Sequence, residues 1–241
     1  MPDTDNPCCS GLSKANHIAL HLAHRWFAFL EAPGGDLNTH LEIFHPHVTL
    51  TGHRTNHRFA HDHESLMAWF NSIPDQVSSH HIVHSTFALA KNGDGLLDMV
   101  VAYQTPSESG IHGSIISYET RIEFAADAAR FIALDKTPIL ANKRPVYETS
   151  WSSHRSLARI HAELAGLSDT SEILQRLRGE GVERLSAVTC APEGSVAYQA
   201  LVNFVPVGSD EVGGIVLTLR DDVAPAMPTI DASVLIAGLS V

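Results

Sequence analysis

The chain of 241 residues is poor in cysteine, and its three cysteines form no recognisable framework. Cys8 and Cys9 are adjacent, Cys190 stands far from them, and none has the paired spacing of a zinc site. The sequence therefore predicts neither a disulfide scaffold nor a structural metal centre. It favours a reducing, cytoplasmic setting.

Basic residues and long apolar runs are also scarce. Sixteen Lys and Arg face 27 Asp and Glu, which gives a formal net charge of −11. A nucleic-acid binder would show a basic patch, and an anionic membrane surface would select for one as well. No apolar run approaches the ~20 residues of a membrane span, and the N-terminus lacks the apolar segment of a signal peptide. We expect no nucleic-acid partner and no membrane partner.

The common catalytic signatures are missing too. The sequence contains no GxSxG, so nothing indicates a serine nucleophile, and no GxGxxG or P-loop, so nucleotide binding is disfavoured. It contains no HExxH, the pattern that places two zinc ligands on one helical face. These absences argue against a serine nucleophile, a nucleotide site and a helical zinc site.

Histidine, by contrast, is abundant: the chain has 16, and six lie in the stretch His45 to Glu64. Converging metal ligands need a fixed local geometry. His61 and His63 would diverge on a helix, and the i, i+4 spacing of His53, His57 and His61 falls in a polar loop after Gly52. We predict no physiological metal site in this stretch, and only His47 is expected to reach a pocket.

Helical periodicity dominates the start of the chain. Residues 1–12 are expected to form a disordered tail. Apolar side chains then recur at three- and four-residue intervals, which predicts an amphipathic helix. A second helix with the same pattern precedes Pro74. The apolar positions of the two helices are Ile18, Leu22, Trp26, Phe29 and Leu30, then Leu66, Trp69, Phe70 and Ile73.

From residue 79 the period changes to two, which predicts strands. Four segments, "SHHIVHSTFALA", "LLDMVVAYQT", "IHGSIISYETRIEF" and "ARFIALDK", are separated by Gly-containing turns. Helices followed by a meander of strands predict an α+β fold, with the helices packed on an antiparallel sheet. The third segment is apolar on both alternating faces, which indicates that both sides of the sheet are covered.

The last hundred residues repeat the order of helices followed by strands. Shifted by one hundred positions, the region near the hairpin aligns without a gap at Pro106 and Pro206, Ser109 and Ser209, Gly113 and Gly213, and Ile115 and Ile215. This pattern predicts an internal duplication, with domains at 13–142 and 143–241. The alternative is a helical hairpin and β extension unrelated to the first half.

Four local patterns carry a resemblance to a known superfamily: "LAHRWFAFLEA", "HVTLTG" followed by "HESLMAWF", "SSHHIVHS" and "HGSIISYETRIEF". With these, residues from about 14 to 140 resemble the nuclear transport factor 2-like fold, also called SnoaL-like or cystatin-like. The resemblance implies a curved sheet wrapped around a long helix, forming a cone with an apolar pocket. It also implies a small apolar or aromatic organic ligand, and pairing through the outer sheet face as a homodimer or an intrachain pseudo-dimer.

The resemblance leaves function open, because the superfamily includes lyases, isomerases and proteins without activity. Its enzymes use a His, Asp or Tyr inside the cone and need no cofactor. The candidates here are two strand histidines. His84 is predicted to share a face with Ile82 and Thr86, and His112 one with Ser114 and Tyr118. Such groups suit general acid–base catalysis near neutral pH.

Two hypotheses follow. The first is a cofactor-free lyase or isomerase that uses His84, His112 or both; the second is a non-catalytic ligand-binding or assembly module. A strand histidine is more often a hydrogen-bonded rim residue, and helix aromatics more often pack a core. The predicted pocket residues are Trp26, Phe29, Phe44, His47, Thr49, Trp69, Thr86, Ser114 and Tyr118.

Overall fold

The structure is a computed structural model that describes residues 7–31, 38, 40–73, 78–126, 128–143, 151–190, 197–221 and 228–237. Within these ranges the chain is α+β, which confirms the predicted fold class. The α-helices are α1 (Pro7–Glu31), α2 (His63–Ser72), α3 (Trp151–Ala165) and α4 (Glu172–Glu180). A single 3-10 turn at Leu41–Ile43 precedes the first strand.

Ten strands form two sheets within the described ranges. The first six are β1 (Phe44–Gly52), β2 (His57–Ala60), β3 (Ser79–Leu89), β4 (Gly95–Ser107), β5 (Gly110–Phe124) and β6 (Ala129–Ala141). The other four are β7 (Val182–Cys190), β8 (Ala197–Pro206), β9 (Gly213–Arg220) and β10 (Thr229–Ala237). Strand β2 lies in the histidine-rich stretch, where the sequence predicted only a loop.

The chain divides into two compact units. We call Leu22–Trp151 the six-stranded unit, and Met1–His21 together with Ser152–Val241 the four-stranded unit. The first division falls inside α1, and α1 begins at Pro7, within the stretch predicted as a tail. Residues 1–6 lie outside the described residues. The domain limits drawn from the sequence, 13–142 and 143–241, stay a prediction.

The sheet of the six-stranded unit has the strand order β2-β1-β6-β5-β4-β3. All neighbours are antiparallel except β1 and β6, which run parallel. The sheet is therefore mixed, whereas the sequence predicted an antiparallel sheet. Helix α2 returns the chain from β2 toward β3, and Asp62 caps its N-terminus by accepting the N–H of Ser65 at 2.8 Å.

One side of this sheet, here called the inner face, is packed against α1. It is recognised by its alternating buried side chains, since residues two apart along a strand share a face. Phe27 of α1 lies against it, in edge contact with the ring of Tyr118 at 5.4 Å. The inner-face residues of β4 and β5 with little or no exposure are Leu97, Met99, Val101, Ile116, Tyr118 and Ile122.

In the four-stranded unit the strand order is β10-β9-β8-β7, all antiparallel. Helices α3 and α4 supply Ile160, Leu164, Leu174 and Leu177 to its apolar core. Arg155 makes a bidentate, buried ion pair with Asp221, at 2.7 to 3.0 Å. Such a pair fixes the start of α3 relative to the end of β9, because a buried charge needs its partner.

A four-stranded antiparallel meander thus occurs twice, as β3 to β6 and as β7 to β10. The predicted alignment places Pro106 and Pro206 at equivalent hairpins, but the second unit has no described counterpart of β1 and β2. The duplication is not shown and stays a prediction. Among the described residues, no helix combines the length and the apolar character that crossing a bilayer needs.

Candidate functional site

A β-bulge at Val83 decides which histidines of β3 reach the inner face. Ile82 pairs with Val101 and His84 pairs with Val100, so Val83 has no partner on β4. One extra residue moves every later side chain to the opposite face. His80 and Ile82 therefore lie on the inner face, whereas His84 lies on the outer face.

His80 is buried on the inner face beside a buried carboxylate. Its side chain is 6% exposed and that of Glu31, at the end of α1, is 0% exposed. Oε1 of Glu31 lies 3.4 Å from Nδ1 of His80 and also accepts the backbone N–H of the same residue. A carboxylate on the Nδ1 side favours the Nδ1–H tautomer, which makes Nε2 the proton acceptor.

Aromatic rings hold this pair in place. The Phe27 ring stacks on the His80 imidazole with centroids 5.1 Å apart, and Tyr103 contacts the other edge at 5.2 Å. Phe27 and Glu31 stand four residues apart on α1, so both project from one side of the helix. The same helix thus presents both the carboxylate and the ring that fix the imidazole.

Tyr118 places a hydroxyl on the same face. Burial, and secondarily the neighbouring Tyr103, raise the pKa of Tyr118. The hydroxyl therefore stays protonated and can donate a hydrogen bond. The face consequently carries a candidate base, its orienting acid and a proton donor.

Lys136 stands next to Tyr118 across the sheet. The two residues are a directly opposed pair of β5 and β6, so their side chains share the inner face. The Lys136 ammonium lies 4.9 Å from the Phe59 ring centroid and 4.8 Å from that of Trp69. Burial lowers the pKa of Lys136.

The two histidines predicted as catalytic are not brought together. His84 is exposed on the outer face for the reason given above. His112 keeps the predicted alignment with Ser114 and Tyr118, but it is exposed at the end of β5 and pairs with Ser109, whose Oγ lies 2.9 Å from Nε2. The catalytic role of either histidine stays a prediction.

The predicted pocket residues divide between the two faces. His47, Thr49 and Thr86 alternate with buried neighbours or lie exposed, and they fall on the outer face. The aromatic residues pack together: Trp26 contacts Phe44 at 5.1 Å, and the Phe70 ring touches both Trp26 and Phe29. The members that face inward are Trp26, Phe29, Phe44, Trp69, Ser114 and Tyr118.

The histidine-rich stretch is spread over β1, β2 and the start of α2. The His45 and His47 rings are in tilted contact at 5.6 Å, and Nε2 of His63 lies 3.1 Å from the carbonyl oxygen of Phe44. Within the described part of the chain, no group of three or more His, Cys, Asp and Glu could hold a metal ion. The expectation of no metal site there stays a prediction.

Sequence reasoning missed Glu31, His80 and Lys136. Strict alternation along β3 predicted that His84 shares a face with Ile82, because the sequence contains no signal for the bulge at Val83. The signal that was available is the acidic Glu31, four residues after Phe27 and still on the apolar side of α1. A buried acid at that position demands a polar partner.

No protein-family model matches the sequence, and no curated protein matches it. Several solved structures are similar to about half of the chain. One is a hexachlorocyclohexane dehydrochlorinase from Novosphingobium barchaimii, with 8% identity, a TM-score of 0.46, and coverage of 55% of this chain and 94% of that one. Another is an uncharacterised protein with a cystatin-like fold from Caulobacter vibrioides, with 14% identity, a TM-score of 0.42, and coverage of 52% and 89%.

A third similar structure is a calcium/calmodulin-dependent protein kinase II hub from S. rosetta, with 9% identity, a TM-score of 0.43, and coverage of 51% and 96%. Since these identities are below 15% and the TM-scores below 0.5, the likenesses say nothing about activity. The fold stands on the chain's own architecture, which is an opening helix, a hairpin, a short helix and a four-stranded meander. The six-stranded unit has the α+β architecture that the resemblance implied, with a helix packed on one face of the sheet.

Proposed function

We propose that the six-stranded unit binds a small organic molecule on its inner face and catalyses proton transfer on it, as a lyase or isomerase. His80 is the general base, and Glu31 orients its ring. The observation that carries the proposal is the burial of these two groups side by side. Burying a carboxylate and an imidazole costs free energy that an apolar pair at the same position would not cost. Buried ionisable groups of this kind are concentrated at functional sites.

The roles follow from the geometry. Nε2 of His80 takes a proton from a carbon next to a carbonyl, and the Glu31 carboxylate stabilises the imidazolium that forms. Tyr118 donates a hydrogen bond to the oxygen on which negative charge develops. The 3.4 Å separation between Oε1 and Nδ1 fits a resting state, because catalytic hydrogen bonds shorten when the substrate binds.

Exchange of hydrogen for deuterium tests the reaction. Small cyclic and aryl ketones are incubated with the full chain in heavy water, and loss of the α-proton signal is followed by NMR. His80→Gln is expected to slow the exchange by about 100-fold or more, which is the usual contribution of a general base. Glu31→Gln, which keeps the shape, is expected to slow it less.

Two matched variants serve as controls. His84→Gln and His112→Gln each remove one histidine from the same sheet, but both side chains are exposed. They should leave the exchange rate unchanged. Equal exchange by the wild type and His80→Gln contradicts the assignment.

A second candidate function is a ligand-binding or assembly module without catalysis. The dense packing of the α1 rings favours it: Phe27, which stacks on His80, is 0% exposed, and Trp26 is 2% exposed. An inner face filled by its own side chains leaves less room for a reacting molecule. Ketones that bind without any exchange in the wild type would decide for this alternative.

A further inference from the structure

The Lys136 ammonium is half-buried between two aromatic rings. Among the described residues, no carboxylate lies within ion-pair distance of it. The protein has an excess of acids, with a net charge of −11, so acidic partners are not scarce. A desolvated ammonium without an anion is costly, which makes this position unusual.

Asp135, the neighbouring acid, is committed elsewhere. As the adjacent residue of β6, it points to the other face of the sheet. Its Oδ2 accepts hydrogen bonds from the Thr51 hydroxyl and the Thr55 backbone N–H, each at 2.7 Å. The Thr137 hydroxyl donates to its Oδ1 at 2.9 Å. The carboxylate closest in sequence is therefore unavailable to Lys136.

The walls around the ammonium are aromatic and tightly built. Phe59 and Trp69 both hold the cation near their ring faces, an arrangement that fixes its position. Gly52 pairs with Lys136 on the adjacent strand, and a Cβ at Gly52 would lie 2.6 Å from the Phe59 ring. The missing side chain thus makes room for Phe59 to lie beside the lysine.

The ammonium lies toward the edge of the sheet that is opposite His80. Lys136 is opposed to Tyr118, but its ammonium reaches the rings of Phe59 on β2 and Trp69 on α2, and β2 and β3 are the two edge strands of the sheet. The lysine site is therefore separate from the pair of His80 and Glu31. Rings bounding a half-buried cation form a site for one anionic group on an otherwise apolar molecule.

We propose that Lys136, held between Phe59 and Trp69, binds the carboxylate of a small organic acid. The binding of this anion does not require the proton transfer proposed at His80. The cage of Phe59 and Trp69 sets where the carboxylate sits, and Lys136 supplies the charge.

Binding of a matched acid and amide tests the proposal. The probes are 2-naphthoate and 2-naphthamide, and the signal is tryptophan fluorescence, because Trp69 lies against the ammonium. The wild type is expected to bind the acid at least about tenfold more tightly than the amide. Lys136→Met should lose this preference, whereas Lys136→Arg, which keeps the charge, should retain part of it.

Lys91→Met is the matched control, since Lys91 is an exposed lysine of the β3–β4 turn. It should bind both probes as the wild type does. Equal affinity of the wild type for acid and amide, or an undiminished preference in Lys136→Met, overturns the proposal.

A second measurement uses only the wild type and so does not depend on how a variant folds. The chain is acetylated with a neutral acylating reagent, and modification of Lys136 and Lys91 is measured by mass spectrometry. Naphthoate should slow modification of Lys136 and leave Lys91 unchanged, and naphthamide should slow neither. If naphthoate and acetate both fail to protect Lys136, the proposal is wrong.

The two proposals fail separately. His80→Gln should lose proton exchange and keep the preference for naphthoate. Loss of the preference in His80→Gln would contradict an anion site centred on Lys136. An intact preference with no role for His80 in exchange would remove the catalytic proposal and leave the anion site standing.

Discussion

Nδ1 of His17 lies 3.0 Å from Nδ1 of His161 inside the four-stranded unit. Both rings are buried, and two nitrogens at this distance can share only one proton, with one donating and the other accepting. Nδ1 of His21, one turn along α1, lies 2.8 Å from the Ala158 carbonyl oxygen, to which it donates. The arrangement disfavours protonation of the pair of His17 and His161 in the folded protein.

The first prediction concerns stability against acid. Burial lowers the pKa of His17 from 6.5 to about 4, and burial with the nearby His17 and His21 lowers the pKa of His161. The unfolded chain therefore binds more protons between these values, so folding stability is complete above about pH 6.5 and falls as the pH drops toward 4. His17 alone should remove about 2 kcal/mol from the free energy of unfolding between about pH 7.5 and about pH 5.

Urea denaturation followed by circular dichroism at the two pH values measures this loss. His17→Leu should reduce the difference between them, because the group that takes up the proton is gone. His84→Leu removes an exposed histidine and serves as the control. An unchanged pH dependence in His17→Leu would show that the pair does not stay neutral.

The second prediction concerns Glu31. Glu31→Ala removes the acceptor of the buried His80 backbone N–H and leaves that donor unsatisfied. We expect a loss of about 2–3 kcal/mol in the free energy of unfolding, measured by urea denaturation. Glu119→Ala, at an exposed position of β5, should change it by less than about 0.5 kcal/mol. A small loss in Glu31→Ala would mean that water replaces the carboxylate.

The third prediction concerns Gly52. A Cβ there would lie 2.6 Å from the Phe59 ring and 3.0 Å from the Lys136 carbonyl oxygen. Gly52→Ala should cost about 1–3 kcal/mol through overpacking and shift the tryptophan emission as Phe59 and Lys136 move. Gly179→Ala is the control, because its Cβ would meet nothing within 4 Å, and it should stabilise α4 by up to about 1 kcal/mol. Wild-type emission in Gly52→Ala contradicts the packing described.

The fourth prediction concerns the turn between β1 and β2. His53, Arg54 and Thr55 all have positive φ angles, between 54° and 65°, a strained run for residues with side chains. Asp135 holds the turn through the Thr55 N–H. Asp135→Ala should therefore free the turn and raise its amide hydrogen exchange, with β4 as the internal control.

The same carboxylate makes a pH prediction. Burial raises the pKa of Asp135, but hydrogen bonds from Thr51, Thr55 and Thr137 outweigh it and leave the pKa below its usual value. Ionised Asp135 therefore stabilises the folded protein fully above the pKa that it has in the unfolded chain. This stabilisation is lost as the pH falls through the pKa of Asp135 in the folded protein. The protection of the turn amides, measured relative to the exchange rate of an unprotected amide at the same pH, should fall only at the acid end of the range.

Elements with a strong period were predictable from the sequence, and the candidate site was not. The strands from Ser79 onward and the helices at Leu22 and Leu66 follow from spacing alone, because each element buries a regular stripe. The pairing of Glu31 with His80 joins residues 49 positions apart, and no local pattern encodes which side of β3 meets α1.

The buried histidines of α1 show the same limit. His17 and His21 have helical spacing, but polar residues at such positions are more often on the exposed side. Their burial comes from the packing of α1 against α3, which the letters of either helix do not reveal. The histidine-rich stretch drew attention by its composition, whereas the buried histidines lie elsewhere in ordinary sequence.

The bulge at Val83 makes residue count, rather than residue identity, the quantity that β3 must preserve. Deleting Val83 would remove only one exposed side chain, yet it would change the register of β3 by one residue. With the β3–β4 turn held in place, Ile82 and His80 would be carried to the outer face and the imidazole would part from Glu31. A substitution at the same position touches none of this, so two changes that look equally mild in an alignment have opposite consequences.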